Sequence, residues 1–173
     1  MKLIYTHRSV ENASYIYYAN IVQDDSRLLN GKPSYFWFGD IDNDVDGSPY
    51  WNQDPNGQAG TSLHFNGKPV NGDQFPFIVV PPQVVNMVPE IVLGCQGTLE
   101  YKNAIVACVV ADTGPRSKIG EASPAALRAL GLPAPHNGNG GLDYQEATYR
   151  IWPGVPAVLK IGDTIYTFTL QKS

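Results

Sequence analysis

Residues 109–121 read VVADTGPRSKIGE and decide the fold prediction. The apolar run Ala104–Ala111 leads into this stretch, is rich in Ile, Val and Cys, and predicts a buried strand. The Thr-Gly-Pro sequence that follows predicts a turn, because glycine permits a positive φ and proline fixes φ and lacks an N–H. Asp112 is therefore expected at the end of a strand, directly before a tight connection.

The residues after this connection predict one short helix at Ser123–Gly131, with the sequence SPAALRALG. Ser123 is suited to the N-cap, since its side-chain oxygen can accept a hydrogen bond from the first turn. Pro124 fits the first helical position, and Gly131 is a typical stop signal. A strand, a turn and a helix thus follow one another as one compact unit.

The other segments place β-branched and aromatic residues between Gly, Pro and Asn turns, which is typical of short strands. About ten strands and a single helix are expected, in one domain of 173 residues. Residues 1–35 are predicted to be an N-terminal arm of strands packing on the core. The predicted strands include Tyr15–Val22, Tyr35–Phe38, Phe75–Pro81, Thr148–Trp152 and a final hairpin at 158–170.

The composition supports a globular protein rich in turns. Hydrophobic residues make up 43% of the chain and charged residues only 16%, alongside 17 Gly, 14 Pro and 10 Tyr. A net charge of −4 argues against nucleic acid, whose binders carry basic patches. The sequence has no run of eighteen apolar residues, so no membrane span is expected. Cys95 and Cys108 both lie in apolar stretches, which leaves open either one disulfide or two buried thiols.

Two carboxylates, Asp112 and Glu121, flank the central turn nine positions apart. A pair of carboxyl groups on a rigid support is what glycoside hydrolysis requires, one as acid and the other as base or nucleophile. Structural roles are the alternative. An acidic residue just before a helix N-terminus is favoured by the helix dipole, and an Asp at a strand end often caps a turn.

The wording of this stretch, Asp-Thr-Gly-Pro-x-x-x-Ile-Gly-Glu-Ala-Ser, resembles the signature of the glycoside hydrolase family 75 chitosanases. Three further blocks resemble that family in the same order, and the similarity spans roughly Phe36 to Gly154. These blocks are Gln58-x-x-Thr61-Ser62-Leu63-His64, Ile78-Val79-Val80-Pro81 and Tyr149-Arg-Ile-Trp-Pro153-Gly154. The strand–turn–helix unit also resembles the core of double-psi β-barrels, a fold shared with other polysaccharide-cleaving enzymes. The resulting prediction is a mostly-β fold with a six-stranded double-psi-like barrel core, one short helix and N-terminal strand additions.

The resemblance implies an endo-acting, inverting chitosanase that cleaves β-1,4 links between glucosamine units. Asp112 and Glu121 would be its catalytic residues, with Glu121 as the general acid and Asp112 as the base for water. This chemistry requires no cofactor and no metal, and the expected partner is chitosan, bound by a monomer. Such a substrate implies an extracellular protein. The N-terminus shows no signal peptide, so either that peptide has been removed or the protein is released by cell lysis.

An acidic block at Asp40, Asp42, Asp44 and Asp46 is the second candidate site. No Lys or Arg occurs between Pro33 and Gly67, so this region can form an anionic groove for a cationic polymer, and the alternating spacing puts the four carboxylates on one face of a strand. Calcium is an alternative, although Gln53 stands where an EF-hand loop ends in Glu. A solvated acidic turn remains a third interpretation.

Four further residues are candidate substrate contacts, namely Thr61, His64, Tyr50 and Trp51. Thr61 belongs to a family-like block, and His64 can contact substrate or orient a carboxylate. The flat faces of Tyr50 and Trp51 can stack on sugar rings. Structural roles are the alternative for each. Rival functions also remain open: a lytic enzyme acting on peptidoglycan, a non-catalytic carbohydrate-binding protein, or a calcium-dependent structural protein.

Overall fold

The structure, a computed structural model, describes residues 1–88 and 90–172. These residues form twelve strands and two six-residue α-helices, which confirms the mostly-β prediction. The helices are α1 (Pro82–Met87) and α2 (Pro124–Ala129), and a 3-10 turn covers Trp51–Gln53. The strands are β1 (Lys2–Asn12), β2 (Tyr15–Leu29), β3 (Lys32–Asn43), β4 (His64–Phe65), β5 (Lys68–Pro69), β6 (Phe77–Val80), β7 (Cys95–Tyr101), β8 (Ala104–Thr113), β9 (Glu121–Ala122), β10 (Leu142–Pro156), β11 (Val158–Ile161) and β12 (Thr164–Thr167).

Six of the strands pair in a closed ring. The main sheet runs in the order β1-β2-β3-β10-β7-β8-β6-β9, and β9 also pairs with β3, which closes the circuit. The β6–β8 and β3–β9 pairs are parallel, whereas the other pairs in the ring are antiparallel. The ring brings β9, which is only two residues long, between two longer strands.

The N-terminal hairpin extends the sheet from β3, since β1 pairs with β2 and β2 pairs with β3. Its strands are longer than the sequence indicated, with β2 covering fifteen residues. The β2–β3 connection is tight because Asn30 and Gly31 both adopt positive φ, as the type I′ hairpin turn requires.

The buried residues form two clusters, one on each side of β6. Ile78 and Val80 belong to the larger cluster, in which Trp37 stacks on Tyr149 at 5.5 Å between ring centroids. Phe77 and Val79 belong to the smaller cluster, which lies against the β11–β12 hairpin. Because β6 is buried on both faces, its four-residue apolar sequence has no polar alternation.

The predicted helix is confirmed as α2. The Ser123 hydroxyl accepts a hydrogen bond from the Ala126 N–H at 3.4 Å, and Gly131 has φ +76°. The expectation of a single helix was wrong, because the apolar piece after Pro81-Pro82 forms α1 with Pro82 in its first turn. The two cysteines are free and buried, so the disulfide alternative does not hold. Among the described residues, no helix has the length and hydropathy needed to cross a membrane.

Candidate functional site

The ring places Asp112 and Glu121 on either side of one residue of β6. Asp112 is the register partner of Val79 across the parallel β6–β8 pair, and Glu121 is its partner across the antiparallel β6–β9 pair. Neighbouring strands lie about 4.8 Å apart, so the two backbones, with one strand between them in a curved ring, are at most about 10 Å apart. Register partners point to the same face of a sheet, so both carboxylates extend over Val79.

A bulge in β8 allows Asp112 to face this way. Ile78 pairs with Val110 and Val79 pairs with Asp112, which leaves Ala111 as the extra residue. Ala111 packs in the same cluster as Val79, and Asp112 lines the cleft beside Val79. A bulge interrupts the usual alternation and redirects the next side chain, as is common next to functional sites.

Gly114 has a different role from the one predicted for it. Its φ is not positive, so the turn does not depend on glycine's conformational freedom. A Cβ at this position would instead lie 2.7 Å from Glu121 Oε2 and 2.8 Å from a Val79 methyl carbon. Glycine therefore leaves space for the Glu121 carboxyl group. Glu121 itself lies in β9, paired with Asp42 and Val79, and not in a loop before the helix.

The two carboxylates line a cleft of about 920 Å³. One wall comes from the end of β3 and the segment after it, and another from the 114–118 connection. Loops at 54–58 and 137–140 contribute the remaining wall. The charged lining residues are Asp42, Asp44, Asp46, Asp54, Asp112, Glu121 and Lys118. Among the described lining residues, six side chains are thus acidic and one is basic.

Asp112 is held by three hydrogen bonds to the same oxygen. Its Oδ1 accepts from the Ser62 hydroxyl at 2.7 Å, from the Thr113 N–H at 3.0 Å and from the Ser62 N–H at 3.3 Å. Burial raises the pKa of Asp112, whereas the hydrogen bonds from Ser62 and Thr113 act in the opposite direction. These bonds favour the ionised carboxylate.

Glu121 lies in a different environment. Burial raises its pKa to about 8, and the negative charge of Asp42 adds to this shift while Lys118 opposes it. Its carboxyl group has no hydrogen-bond partner among the residues that the structure describes. With a pKa near 8, the group carries a proton over most of the neutral range.

The Asp-rich block divides instead of presenting one face. Asp42, Asp44 and Asp46 line the cleft, but Asp40 lies beneath it and is only 3% exposed. Tyr17 of the N-terminal hairpin covers Asp40 and donates its hydroxyl to Asp40 Oδ1 at 2.8 Å. Burial, aided by the charges of Asp42 and Glu11, raises the pKa of Asp40 to about 8.

Two groups of three carboxylates each have oxygens within 4.8 Å of one another, a spacing that can hold a cation. The first is Glu11, Asp40 and Asp42, and the second is Asp44, Asp46 and Asp112. Lys118 already bridges the first group, with Nζ 3.3 Å from Asp42 and 3.6 Å from Glu11. Asp42 therefore does not join Asp44 and Asp46 in one loop, as an EF-hand arrangement requires.

The other candidate contacts lie at or outside the cleft's rim. Tyr50 and Trp51 are each 37% exposed, and Tyr50 stacks on His136 at 3.5 Å between centroids, next to the 137–140 wall. Thr61 is buried, and its hydroxyl donates to the carbonyls of Leu63 and Val70. His64 is exposed in β4, where its backbone N–H and carbonyl form hydrogen bonds with the side-chain amide of Gln171.

Sequence reasoning gave no role to two cleft residues, Ser62 and Lys118. Ser62 contacts a carboxylate fifty residues away, and Lys118 bridges to β1 and β3. Ser62 is one of the specified residues of a family-like block, whereas Lys118 occupies an unspecified position of another and had no signal. Comparisons with models of known protein families and with curated proteins give no match to this chain. The resemblance of residues 36–154 to a chitosanase family therefore stays a prediction, and the chemistry of the cleft is the basis for inferring function.

Proposed function

We propose that this protein is an endo-acting chitosanase that hydrolyses β-1,4 bonds between glucosamine units with inversion of configuration. The observation that carries the proposal is the contrast between the two carboxyl groups over Val79. Glu121 is half-buried, has no hydrogen-bond partner among the described residues and has a pKa of about 8. On Asp112, burial also raises the pKa, but three donors oppose that rise and favour the ionised form. Pairs of carboxyls whose environments separate their pKa values are typical of acid–base catalysis.

In the proposed reaction, protonated Glu121 donates its proton to the glycosidic oxygen as the bond to the anomeric carbon breaks. Asp112 accepts a proton from a water molecule, whose oxygen attacks the opposite face of the same carbon. Inverting enzymes hold their carboxyl groups about 6.5 to 9.5 Å apart to admit this water. A backbone separation of at most about 10 Å, with both side chains on the same face, is compatible with that range.

The charge of the cleft supports a cationic substrate. Six acidic side chains and one lysine line it, and five of the six are aspartates. Chitosan carries protonated amino groups in acidic solution. A cleft lined by one sign of charge concentrates ligands of the opposite sign. An anionic polymer would be repelled by the same surface.

We propose that the closed ring of six strands is a double-psi β-barrel, which the mixture of two parallel and four antiparallel pairings supports. The enzyme would act outside the cell as a monomer, since its polymeric substrate is there. The two-carboxylate reaction needs no cofactor.

Release of reducing ends from well-deacetylated chitosan tests the proposal. We expect activity from the parent and losses of several orders of magnitude in Asp112→Asn and Glu121→Gln. Asp163→Asn is the matched control, because Asp163 is exposed in the β11–β12 turn, away from the cleft. All variants must retain the parent's circular dichroism. A folded parent that is inactive on chitosan and chitin would contradict the proposal, and peptidoglycan would be the next substrate to assay.

A further inference from the structure

We propose that Ser62 is a positioning residue that keeps Asp112 ionised and turned so that its second oxygen faces the cleft. This inference rests on the proposed function for its catalytic consequence, but its physical part can be measured without substrate. It goes beyond the carboxylate pair, because Ser62 transfers no proton to or from the sugar and acts only through Asp112.

The first support is the geometry of the contact. Ser62 supplies two of the three donors on Asp112 Oδ1, its hydroxyl at 2.7 Å and its N–H at 3.3 Å. All three donors converge on Oδ1, which leaves Oδ2 without a donor among the described residues. Hydrogen bonds to an ionised carboxylate are short and stronger than neutral ones. The pattern fixes the plane of the carboxylate and leaves one oxygen available to accept a proton.

The second support is that the residues flanking Ser62 are anchored in the core. The Leu63 N–H donates to the carbonyl of Ala111, the bulge residue next to Asp112, at 2.9 Å. The buried Thr61 hydroxyl donates to the carbonyls of Leu63 and Val70, both at 3.2 Å. Leu63 is fully buried. The segment therefore holds Ser62 in one place beside the bulge, so its hydroxyl is pre-positioned for Asp112.

The surroundings of Asp112 explain why such a residue is needed. Burial disfavours ionisation of Asp112, and Asp44 and Asp46 have carboxyl oxygens within 4.8 Å of it. A base that shares a cleft with other acids must be kept deprotonated by donors, because like charges favour the protonated form. Ser62 provides that support at Oδ1, through its hydroxyl and its N–H.

The test compares Ser62→Ala with the parent in two measurements. The first is the titration of Asp112 followed by the ¹³C shift of its carboxyl carbon, assigned with Asp112→Asn. We expect the Asp112 midpoint to move to higher pH in Ser62→Ala and to return towards the parent value in Ser62→Thr, which keeps the hydroxyl. The second is kcat on chitosan oligomers, which should fall about tenfold to a hundredfold with little change in KM, since a hydrogen bond to a charged group is worth a factor of that size.

Ser26→Ala is a matched control. Ser26 donates its hydroxyl to Asp24 Oδ1 at 2.5 Å and its N–H to the same oxygen at 3.0 Å, outside the cleft. The Ser26→Ala substitution removes the same kind of serine–aspartate hydrogen bond, and we expect it to leave the Asp112 titration and kcat unchanged. An Asp112 midpoint that stays at the parent value in Ser62→Ala would overturn the inference, as would an equal change in Ser26→Ala. If the midpoint moves but the parent does not cleave chitosan, the positioning role stands and the proposed substrate is wrong.

Discussion

Replacing Asp42 with Asn should lower the pKa of Glu121, because Asp42 is the largest charged contributor to its raised value. Asp42 and Glu121 are register partners on the parallel strands β3 and β9, so their Cα atoms are about 4.8 Å apart and their side chains share a face. Two unit charges about 6 Å apart interact by about 3 kcal/mol at an effective dielectric constant of 20. Solvent screening reduces this figure, since the Asp42 side chain is 36% exposed.

We therefore expect the Glu121 midpoint to fall by about one pH unit in Asp42→Asn, which corresponds to about 1.4 kcal/mol. The sign follows from the loss of a like charge, and the release of Lys118 from Asp42 acts in the same direction. In the pH profile of kcat/KM, the alkaline limb should move to lower pH, because the acid loses its proton earlier.

Lys118→Met provides the opposite change. Lys118 lowers the pKa of Glu121, so its removal should move the midpoint upwards. Because the amino groups of chitosan also titrate, the decisive measurement is the ¹³C titration of the Glu121 carboxyl carbon without substrate. The electrostatic reasoning would be refuted if Asp42→Asn left the midpoint unchanged, or if both variants moved it in the same direction.

Two stability predictions follow from buried titratable groups. Glu121→Gln should raise the free energy of unfolding by a few kcal/mol at pH 9 and by little at pH 4. The reason is that the folded-state pKa of Glu121 is about 8, so stability is lost as the pH rises from the unfolded value of 4.5 through 8. Urea melts at both pH values measure this, and an equal effect at both would contradict it. His7 is buried with both ring nitrogens unpartnered in the described residues, and burial lowers its pKa. The contribution of His7 to stability should therefore be lost as the pH drops below 6.5, against the gain that the raised pKa values of Glu121 and Asp40 give in the same range. His7→Leu should remove that loss, so thermal melts between pH 8 and pH 5 should show a larger gain in stability on acidification than in the parent. A pH dependence equal to the parent's would contradict this.

Local signals accounted for the elements that sequence reasoning placed well. The apolar run before Asp112 forms β8, and the Ser-Pro start and Gly stop delimit α2, because each signal acts within a few residues. Helix α1 was missed because its apolar residues have no polar alternation and its prolines also fit the end of a strand. A six-residue helix carries too little periodicity to be distinguished from such a strand end.

The site was predictable only in part, because its contacts are long-range. The wording of the 112–121 stretch identified both carboxylates, yet the feature that brings them together is their common register with Val79. That register depends on a bulge at Ala111, and no residue near it in the sequence predicts a bulge. Asp40 was grouped with Asp42 by its spacing, and its burial depends on Tyr17, twenty-three residues earlier. Ser62 lies fifty residues from Asp112 in the chain.

The local environment of Glu121 connects the fold to the proposed chemistry. A carboxyl group placed between β3 and β6 loses solvent, and Asp42 adds a like charge, so its ionised form is disfavoured. The same position destabilises the folded protein at alkaline pH, since the group must then be charged where it is poorly solvated. Gly114 keeps the space next to the carboxyl open, because a Cβ at this position would lie 2.7 Å from Glu121 Oε2. A purely structural Glu gains nothing from such a position, whereas a general acid needs its pKa raised in this way. The stability measurement on Glu121→Gln and the pH measurement on Asp42→Asn therefore address the same physical cause. If that cause is burial beside a like charge, Glu121→Gln should raise the free energy of unfolding at alkaline pH, and Asp42→Asn should lower the pKa of Glu121.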